Sequence, residues 1–295
     1  MKIFDCVNEF LINNRGNIKE HTYFYYKYIN EHYIQENFNL VTIANFDKVL
    51  KEYFETFSKA YSSAVALVVK SLLNQTLRYM NQSGAFINDI HIQYKNKKSP
   101  VRQIDCLRIE EQGILEKYIL EAKRIYFYGM IVSLHTGLRI GELLALKWEN
   151  VDFDNRVFTV QATTTKISRN HKVIEIEDLP KTVSSCRVIP ITPFLIRIFK
   201  ELRKHSQCEY VVTNRVGKKM DLRTYQQSFS TLLKKLGIKH YGFHALRHTF
   251  ATRLLEKNVD IKTISELLGH SSPIITLNRY VHTNLDKKRK ALQKL

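Results

Sequence analysis

The chain has 295 residues, of which 44% are hydrophobic and 25% are charged, as in soluble globular proteins and not disordered ones. Lys and Arg number 46 against 28 Asp and Glu, which gives a formal net charge of +18. This excess favours a polyanionic partner, above all a nucleic acid. A membrane surface is the weaker alternative, because no Lys-rich helix with a bulky apolar face stands out.

The amino terminus lacks the apolar core of a signal peptide, and no apolar run is long enough to cross a bilayer. The four cysteines contain no C-x-x-C pair, so the sequence predicts neither a zinc site nor a disulfide framework. We therefore expect a cytoplasmic protein with no membrane partner.

The first part of the chain has helical patterns and no strand alternation. Apolar side chains recur at three- and four-residue spacing in three segments, His21–Ile34, Phe46–Phe57 and Tyr61–Gly84. Lys95–Gln103 is basic, contains a proline and has few apolar residues, so it reads as a linker that either touches phosphates or is a solvated hinge. We expect a helical domain at 1–98, a linker at 99–106 and a second domain at 107–295.

Helical and strand patterns are mixed beyond the linker. Ile109–Gly137 predicts two helices, of which the second is strongly apolar and therefore buried. Val151–Gln161 predicts a hairpin, and Lys172–Asp178 and Cys186–Thr192 alternate as further short strands. Helical patterns return from Pro193. The predicted fold class is mainly α with a small antiparallel β-sheet.

Arg139 is the first candidate for anion binding. Gly137 ends an apolar helix and Arg139 opens the next, where free backbone N–H groups and the helix dipole favour an anion. Glu142 lies one turn further on and can hold the guanidinium in place. The alternative is that Arg139 and Glu142 form only a surface salt bridge.

His244, Arg247 and His248 follow the spacing i, i+3, i+4, so their side chains share one face of a helix. The guanidinium of Arg247 can grip a phosphate through two parallel hydrogen bonds, and His244 can donate to the same oxygen. A solvated helix face is the alternative, and His248 is the weakest member of the three.

The segment that follows predicts two helices joined by a tight connection. Asp260 can cap the start of the first helix, and Gly269 is placed to end it. His270 then lies on the connection, and Tyr280 lies about two turns into the second helix. A core tyrosine packed against Leu277 is the alternative for Tyr280.

Lys181 lies in LPKTVSSCRVIP, in a turn between two predicted strands, where a lysine is normally solvated. Lys166 and Lys172 lie in the neighbouring segment and are alternatives to it.

In order, TGLRIGE, LPKT..S.R.IP, HALRHTFAT, LGHSS and a tyrosine ten residues after that histidine closely resemble the tyrosine recombinase (phage integrase) family. The resemblance covers Ile109 to Thr283. It implies a helical core-binding domain followed by an α+β catalytic domain, which clamp the DNA duplex between them.

The resemblance also assigns a role to each candidate residue. Arg139 and Arg247 would bind the scissile phosphate, His244 and His270 would hydrogen-bond its oxygens or assist proton transfer, Lys181 would be the general acid, Tyr280 would be the nucleophile, and Glu142 and His248 would support them.

The implied function is site-specific DNA recombination through a 3′-phosphotyrosyl intermediate, integrating or excising a mobile element, with no cofactor or metal. The implied partners are double-stranded recombination sites, further copies of the chain in a tetramer, and an accessory excisionase or DNA-bending protein. The alternative is a Xer-like resolvase or an invertase. The sequence shows no additional amino-terminal arm-binding domain, which favours a Xer-like system. Two further alternative functions are those of a type IB topoisomerase-like enzyme and of a non-catalytic DNA-binding protein.

The basic tail Asn284–Leu295 either docks on a neighbouring subunit or is a frayed terminus.

Overall fold

The computed structural model describes residues 1–42, 45–84, 91–94, 105–169, 172–178 and 186–280. For residues 46–48, 168–169, 172–173 and 278–280 it describes the backbone alone. Lys181, most of the predicted linker and the basic tail therefore lie outside the described residues.

Two compact units make up the chain. The first is Met1–Arg102 together with Lys166–Glu175, and the second is Gln103–Thr165 together with Ile176–Leu295. The grouping of residues 166–175 with the first unit had no counterpart in the sequence patterns. The described elements are mainly helices with small sheets, which confirms the predicted fold class.

The first unit is helical over its amino-terminal part. A buried core of aliphatic and aromatic side chains holds the helices together, with Phe38 and Leu50 fully buried within it. The α-helices are α1 (Ile3–Asn13), α2 (Glu20–Ile29), α3 (Gln35–Asn37), α4 (Phe46–Ala60) and α5 (Ser63–Gln82), and a π-helix, Asn30–Ile34, joins α2 to α3.

The second unit contains eight α-helices among its described residues. They are α6 (Ile109–Ala122), α7 (Tyr128–Thr136), α8 (Ile140–Ala145), α9 (Pro193–His205), α10 (Leu222–Lys235), α11 (His244–Glu256), α12 (Ile261–Leu268) and α13 (Pro273–Tyr280). The two helices predicted between Ile109 and Gly137 are thus present as α6 and α7, joined by the short 3-10 helix Ile125–Phe127.

Helix α7 lies at the centre of this unit, since α6, α8, α9 and α11 all contact it. Eight of its nine residues are buried, as its nearly continuous apolar sequence predicts. Gly129 permits this packing, because a Cβ there would lie 2.7 Å from a methyl group of Val212. The helix ends at Gly137, which adopts the left-handed conformation with φ of 69°.

Within the part of the chain that the structure describes, five strands form two small sheets. Strands β1 (Val151–Asp152), β2 (Val157–Val160) and β5 (Arg187–Pro190) form an antiparallel sheet in the order β1-β2-β5. The hairpin predicted within Val151–Gln161 is therefore confirmed. Strands β3 (Thr163–Arg169) and β4 (Lys172–Asp178) pair separately, and β3 is a strand that the sequence patterns did not predict.

No helix among the described residues is long and apolar enough to cross a membrane.

Candidate active site

Arg139 immediately precedes α8 and is held by Glu142. The Glu142 carboxylate accepts hydrogen bonds from the Arg139 guanidinium, at 2.6 Å, and from the Arg139 backbone N–H, at 3.0 Å. The Glu142 side chain is 4% exposed, whereas that of Arg139 is 37% exposed. The predicted pairing is present, and it leaves part of the guanidinium facing solvent.

Gly141 explains how α8 can lie so close to strand β3. A Cβ on Gly141 would lie 2.5 Å from the backbone oxygen of Thr164 and 2.5 Å from the Thr163 hydroxyl, which is closer than nonbonded carbon and oxygen atoms approach. The glycine in TGLRIGE therefore lets α8, and with it Glu142, pack directly against the strand.

Arg247 projects from α11 into the protein and is 1% exposed. Its Nη1 donates to the carbonyl oxygen of Gly137 at 2.8 Å, and its Nη2 donates to that of Leu268 at 2.7 Å. Buried arginines require such partners, because an unsatisfied buried charge is costly. One side chain thereby ties the turn before Arg139 to the end of α12.

The carboxyl end of α12 carries His270 into the site. Asp260 caps the start of this helix by accepting from the Thr263 N–H at 2.9 Å, and Gly269 ends it with φ of 64°, as the sequence predicts. The His270 N–H donates to Ser265 O at 3.0 Å. The imidazole Nδ1 lies 2.8 Å from the hydroxyl of the fully buried Thr276 on α13, and this contact orients the ring.

Arg187, the first residue of β5, hydrogen-bonds both to Glu142 and to the last turn of α12. Its Nη2 donates to Glu142 Oε2 at 2.9 Å, and its Nε donates to the carbonyl oxygen of Leu267 at 2.7 Å. Burial alone would raise the pKa of Glu142, but the charges and hydrogen bonds of Arg187 and Arg139 together lower it. Glu142 is therefore a carboxylate near neutral pH.

His244 and His248 lie on α11 with their ring centroids 4.5 Å apart, nearly perpendicular to each other. His244 is exposed and His248 is half-buried. The three residues of the predicted face therefore differ in burial, since Arg247 between them points inward while His244 remains accessible.

The segment that contains Lys181 lies outside the described residues, but both of its flanks are held. Before it, Glu177 near the end of β4 accepts hydrogen bonds from Tyr210, at 2.5 Å, and from Lys219. After it, Arg187 makes the contacts given above. Of the two alternatives, Lys166 lies 3.6 Å from Glu175, and only the backbone of Lys172 is described.

Tyr280 is the last residue of α13, and its backbone alone is described. Leu277, against which a core tyrosine would pack, is 42% exposed. Helix α13 contacts α12 and α11, so the helix that carries Tyr280 lies beside α11, which carries Arg247, and beside α12, which ends two residues before His270.

Arg139, Glu142, Arg187 and Arg247 form one hydrogen-bonded assembly around the ends of α7 and α12. The guanidinium groups of Arg139 and Arg187 contact the Glu142 carboxylate. Together with Arg247, these four side chains carry a net charge of +2. The carbonyl groups at a helix carboxyl end carry partial negative charge, which the two buried arginines offset. The assembly is suited to binding a phosphate group.

Within the described residues, no cluster of three or more His, Cys, Asp and Glu is arranged to hold a metal ion.

Sequence reasoning did not single out Arg187 or Thr276. Arg187 is part of the quoted LPKT..S.R.IP pattern, which was the available signal. Thr276 carried none, because its partner His270 lies six residues away across a helix boundary.

Solved structures of known proteins share this fold. The Tn1549 transposon integrase in complex with a circular intermediate DNA aligns with a TM-score of 0.79 and 24% identity, covering 100% of this chain and 99% of that chain. A lambda integrase tetramer bound to a Holliday junction aligns with a TM-score of 0.70 and 16% identity, covering 97% of this chain and 80% of that one.

The family model described as the phage integrase family matches residues 113–287, more than half of the chain. The chain therefore belongs to the phage integrase family of tyrosine recombinases. A curated relative is the XerC-like tyrosine recombinase of Caldanaerobacter subterraneus subsp. tengcongensis, 36% identical over 185 residues. That alignment covers 56% of this chain, and the chain spans only 47% of the relative's length.

Proposed function

We propose that the protein is a site-specific DNA recombinase that cuts and rejoins DNA through Tyr280. The observation that carries this proposal is the joint anchoring of Arg247 to Gly137 and Leu268, which ties the Arg139 turn to the helix end that leads to His270. Family membership and the intact set of motif residues support the same conclusion.

In the proposed reaction, the Tyr280 phenol passes its proton to one of the two imidazoles, His244 or His270, and its oxygen attacks the scissile phosphorus. The new P–O bond forms as the bond to the 5′ oxygen breaks, and Lys181 supplies a proton to that leaving oxygen. The phosphoryl oxygens gain negative charge, which Arg139, Arg247 and the imidazoles of His244 and His270 stabilise. Glu142 holds Arg139, and His248 packs beside His244.

The 3′-phosphotyrosyl bond retains much of the energy of the phosphodiester that it replaces. Attack by a different 5′-hydroxyl therefore rejoins the DNA and frees Tyr280 without a nucleotide cofactor. The reaction needs positioning and electrostatic stabilisation, which the arginine assembly is suited to supply.

The proposed substrate is double-stranded DNA, which the +18 charge favours. The Tn1549 integrase and lambda integrase structures that share this fold are complexes with DNA. We assign residues 1–98 to a helical core-binding domain, 99–106 to the linker and 107–295 to the catalytic domain. The division into two compact units supports this assignment.

For its role, we propose integration and excision of a mobile element in the bacterial cytoplasm, at the nucleoid, by a tetramer of the chain with an accessory excisionase or DNA-bending protein. The similarity to a transposon integrase and to the tetrameric lambda integrase supports this role. A Xer-like resolvase is the second candidate, favoured by the XerC-like relative.

The test uses a suicide duplex that carries the junction sequence of the excised element, from which the cleaved 5′ end diffuses away. The wild-type protein should form a covalent protein–DNA adduct, and Tyr280→Phe should form none while still binding the duplex. Tyr118→Phe is the matched control, because its hydroxyl accepts a hydrogen bond from Lys235 at 2.8 Å and belongs to no proposed catalytic group.

An adduct that persists in Tyr280→Phe would refute the assignment of the nucleophile. Relaxation of any supercoiled plasmid without a preferred site would indicate a type IB topoisomerase-like activity instead. Binding without cleavage on the true site would indicate a non-catalytic DNA-binding protein.

A further inference from the structure

Arg187 connects two parts of the candidate site that are distant in sequence. Its two terminal nitrogens face the Glu142 carboxylate, at 3.4 Å for Nη1 and 2.9 Å for Nη2. Its Nε donates to Leu267 O at 2.7 Å. A single planar group therefore spans from the partner of Arg139 to the last turn of α12.

The space that Arg187 occupies exists because residue 269 is a glycine. A Cβ on Gly269 would lie 2.7 Å from Arg187 Nη1 and 3.1 Å from its Cδ. The Arg187 side chain is 7% exposed, so the guanidinium is enclosed between the α12 terminus and Glu142. The same glycine ends α12 and accommodates the arginine.

Arg187 and Arg139 both bind the Glu142 carboxylate but differ in their exposure to solvent. The side chain of Arg139 is 37% exposed, and that of Arg187 is 7% exposed. All three guanidinium nitrogens of Arg187 donate to protein atoms. Arg139 is thus the member of the pair placed to meet a phosphate, and Arg187 is placed to hold its partner.

We propose that Arg187 is a positioning residue that fixes the Arg139–Glu142 pair against the carboxyl end of α12. This keeps the phosphate-binding Arg139 and the α12–α13 segment that carries His270 and Tyr280 in one geometry. The inference rests on the proposed function, because its consequence is measured in DNA cleavage.

If Arg187 is a positioning residue, its substitution should slow DNA cleavage without weakening DNA binding. On the suicide duplex, Arg187→Gln should slow single-turnover adduct formation by about 100-fold at saturating protein, while its Kd for the duplex changes by less than about threefold. Arg187→Lys keeps the charge but not the planar fork, so we expect a loss of about tenfold with Tm close to that of the wild type. Arg203→Gln is the charge-matched control, since that exposed guanidinium lies over the Trp148 ring, 5.1 Å from its centroid. It should cleave at the wild-type rate.

A double-mutant cycle tests whether Arg187 acts through Glu142. The rate of Glu142→Gln combined with Arg187→Gln should equal that of the slower single variant, because both changes release the same guanidinium. Glu142→Gln combined with Arg203→Gln should show independent effects. The cycle is also run with Arg187→Lys, so a poorly folded glutamine variant does not prevent a decision.

Three results would overturn the inference. They are cleavage by Arg187→Gln within about threefold of wild type, a Kd that rises in proportion to the loss of rate, and multiplicative losses in the cycle. If the wild-type protein itself forms no adduct on the junction duplex, the proposed function fails, and that outcome is distinct from all three.

Discussion

Nη1 of Arg247 lies 2.8 Å from the carbonyl oxygen of Gly137, so an arginine on α11 is bonded to the turn that ends α7 and precedes Arg139. The two proposed phosphate ligands thus belong to neighbouring parts of one hydrogen-bonded structure. Loss of this contact should disturb both.

Arg247→Lys should reduce stability and cleavage together. A single ammonium cannot reproduce the two guanidinium contacts, so one buried carbonyl loses its partner, at a cost of about 1–3 kcal/mol in the free energy of unfolding. Adduct formation should slow by about 100-fold or more, as for removal of one oxyanion donor. Urea denaturation and single-turnover cleavage measure the two effects.

Arg253→Lys is the matched control on the same helix. Arg253 also donates to a backbone carbonyl, that of Leu107, at 2.7 Å, but it has no proposed contact with the phosphate. We expect a similar loss of stability with cleavage within about threefold of wild type at a temperature where the variant is folded. Equal losses of cleavage in both variants would mean that Arg247 acts through folding alone.

Gly137→Ala should destabilise the protein by about 2–4 kcal/mol, because it combines left-handed backbone strain with overpacking. The added Cβ would lie 2.6 Å from Phe250 Cδ1 and 2.7 Å from Leu268 Cδ2. Gly237 has a similar φ of 65° with nothing within 4 Å of a Cβ, so Gly237→Ala should cost only about 1–2 kcal/mol. Equal costs in thermal or urea unfolding would show that the packing around Gly137 is unimportant.

The stability contribution of Glu142 should depend on pH. Its folded-state pKa is lowered from the ordinary value of 4.5, so the contribution is complete above that value and is lost as the pH falls through the lower folded value. The difference in unfolding free energy between the wild type and Glu142→Gln should therefore be largest near neutral pH and shrink in acid. Denaturation curves from pH 7 to pH 3 measure it, and a constant difference would contradict a charged Glu142.

Thr276→Val should slow cleavage by about tenfold, because the hydrogen bond on Nδ1 of His270 sets the orientation of the ring. The substitution keeps the shape of a fully buried side chain, and loss of one hydrogen bond should cost about 1 kcal/mol of stability. Thr276→Ser keeps the hydroxyl and should cleave at nearly the wild-type rate. If both variants cleave equally fast, the Thr276 contact does not position His270.

Local spacing in the sequence predicted part of the site. The three-residue interval from Arg139 to Glu142 and the cap residues Asp260 and Gly269 gave the correct pairing and helix ends, because these interactions form within one or two turns. The Arg187–Glu142 contact joins residues 45 positions apart, and no periodic pattern encodes it.

The sequence also did not predict which side chains of the H-x-x-R-H helix face are buried. His244, Arg247 and His248 share one spacing, yet Arg247 is 1% exposed while His244 is exposed, because the carbonyls of two other elements receive the guanidinium. Strand β3 was missed because its polar sequence, TTTKISR, lacks an apolar alternation and depends on pairing with β4.

The partners of Arg247 at Gly137 and Leu268 are main-chain carbonyls, which every amino acid carries. Substitution at Leu268 leaves its carbonyl in place, so the anchorage of the arginine is insensitive to the identity of that side chain. Only a change in backbone course would remove it. The hydrogen bond to residue 268 therefore constrains the path of the backbone there and not the type of side chain.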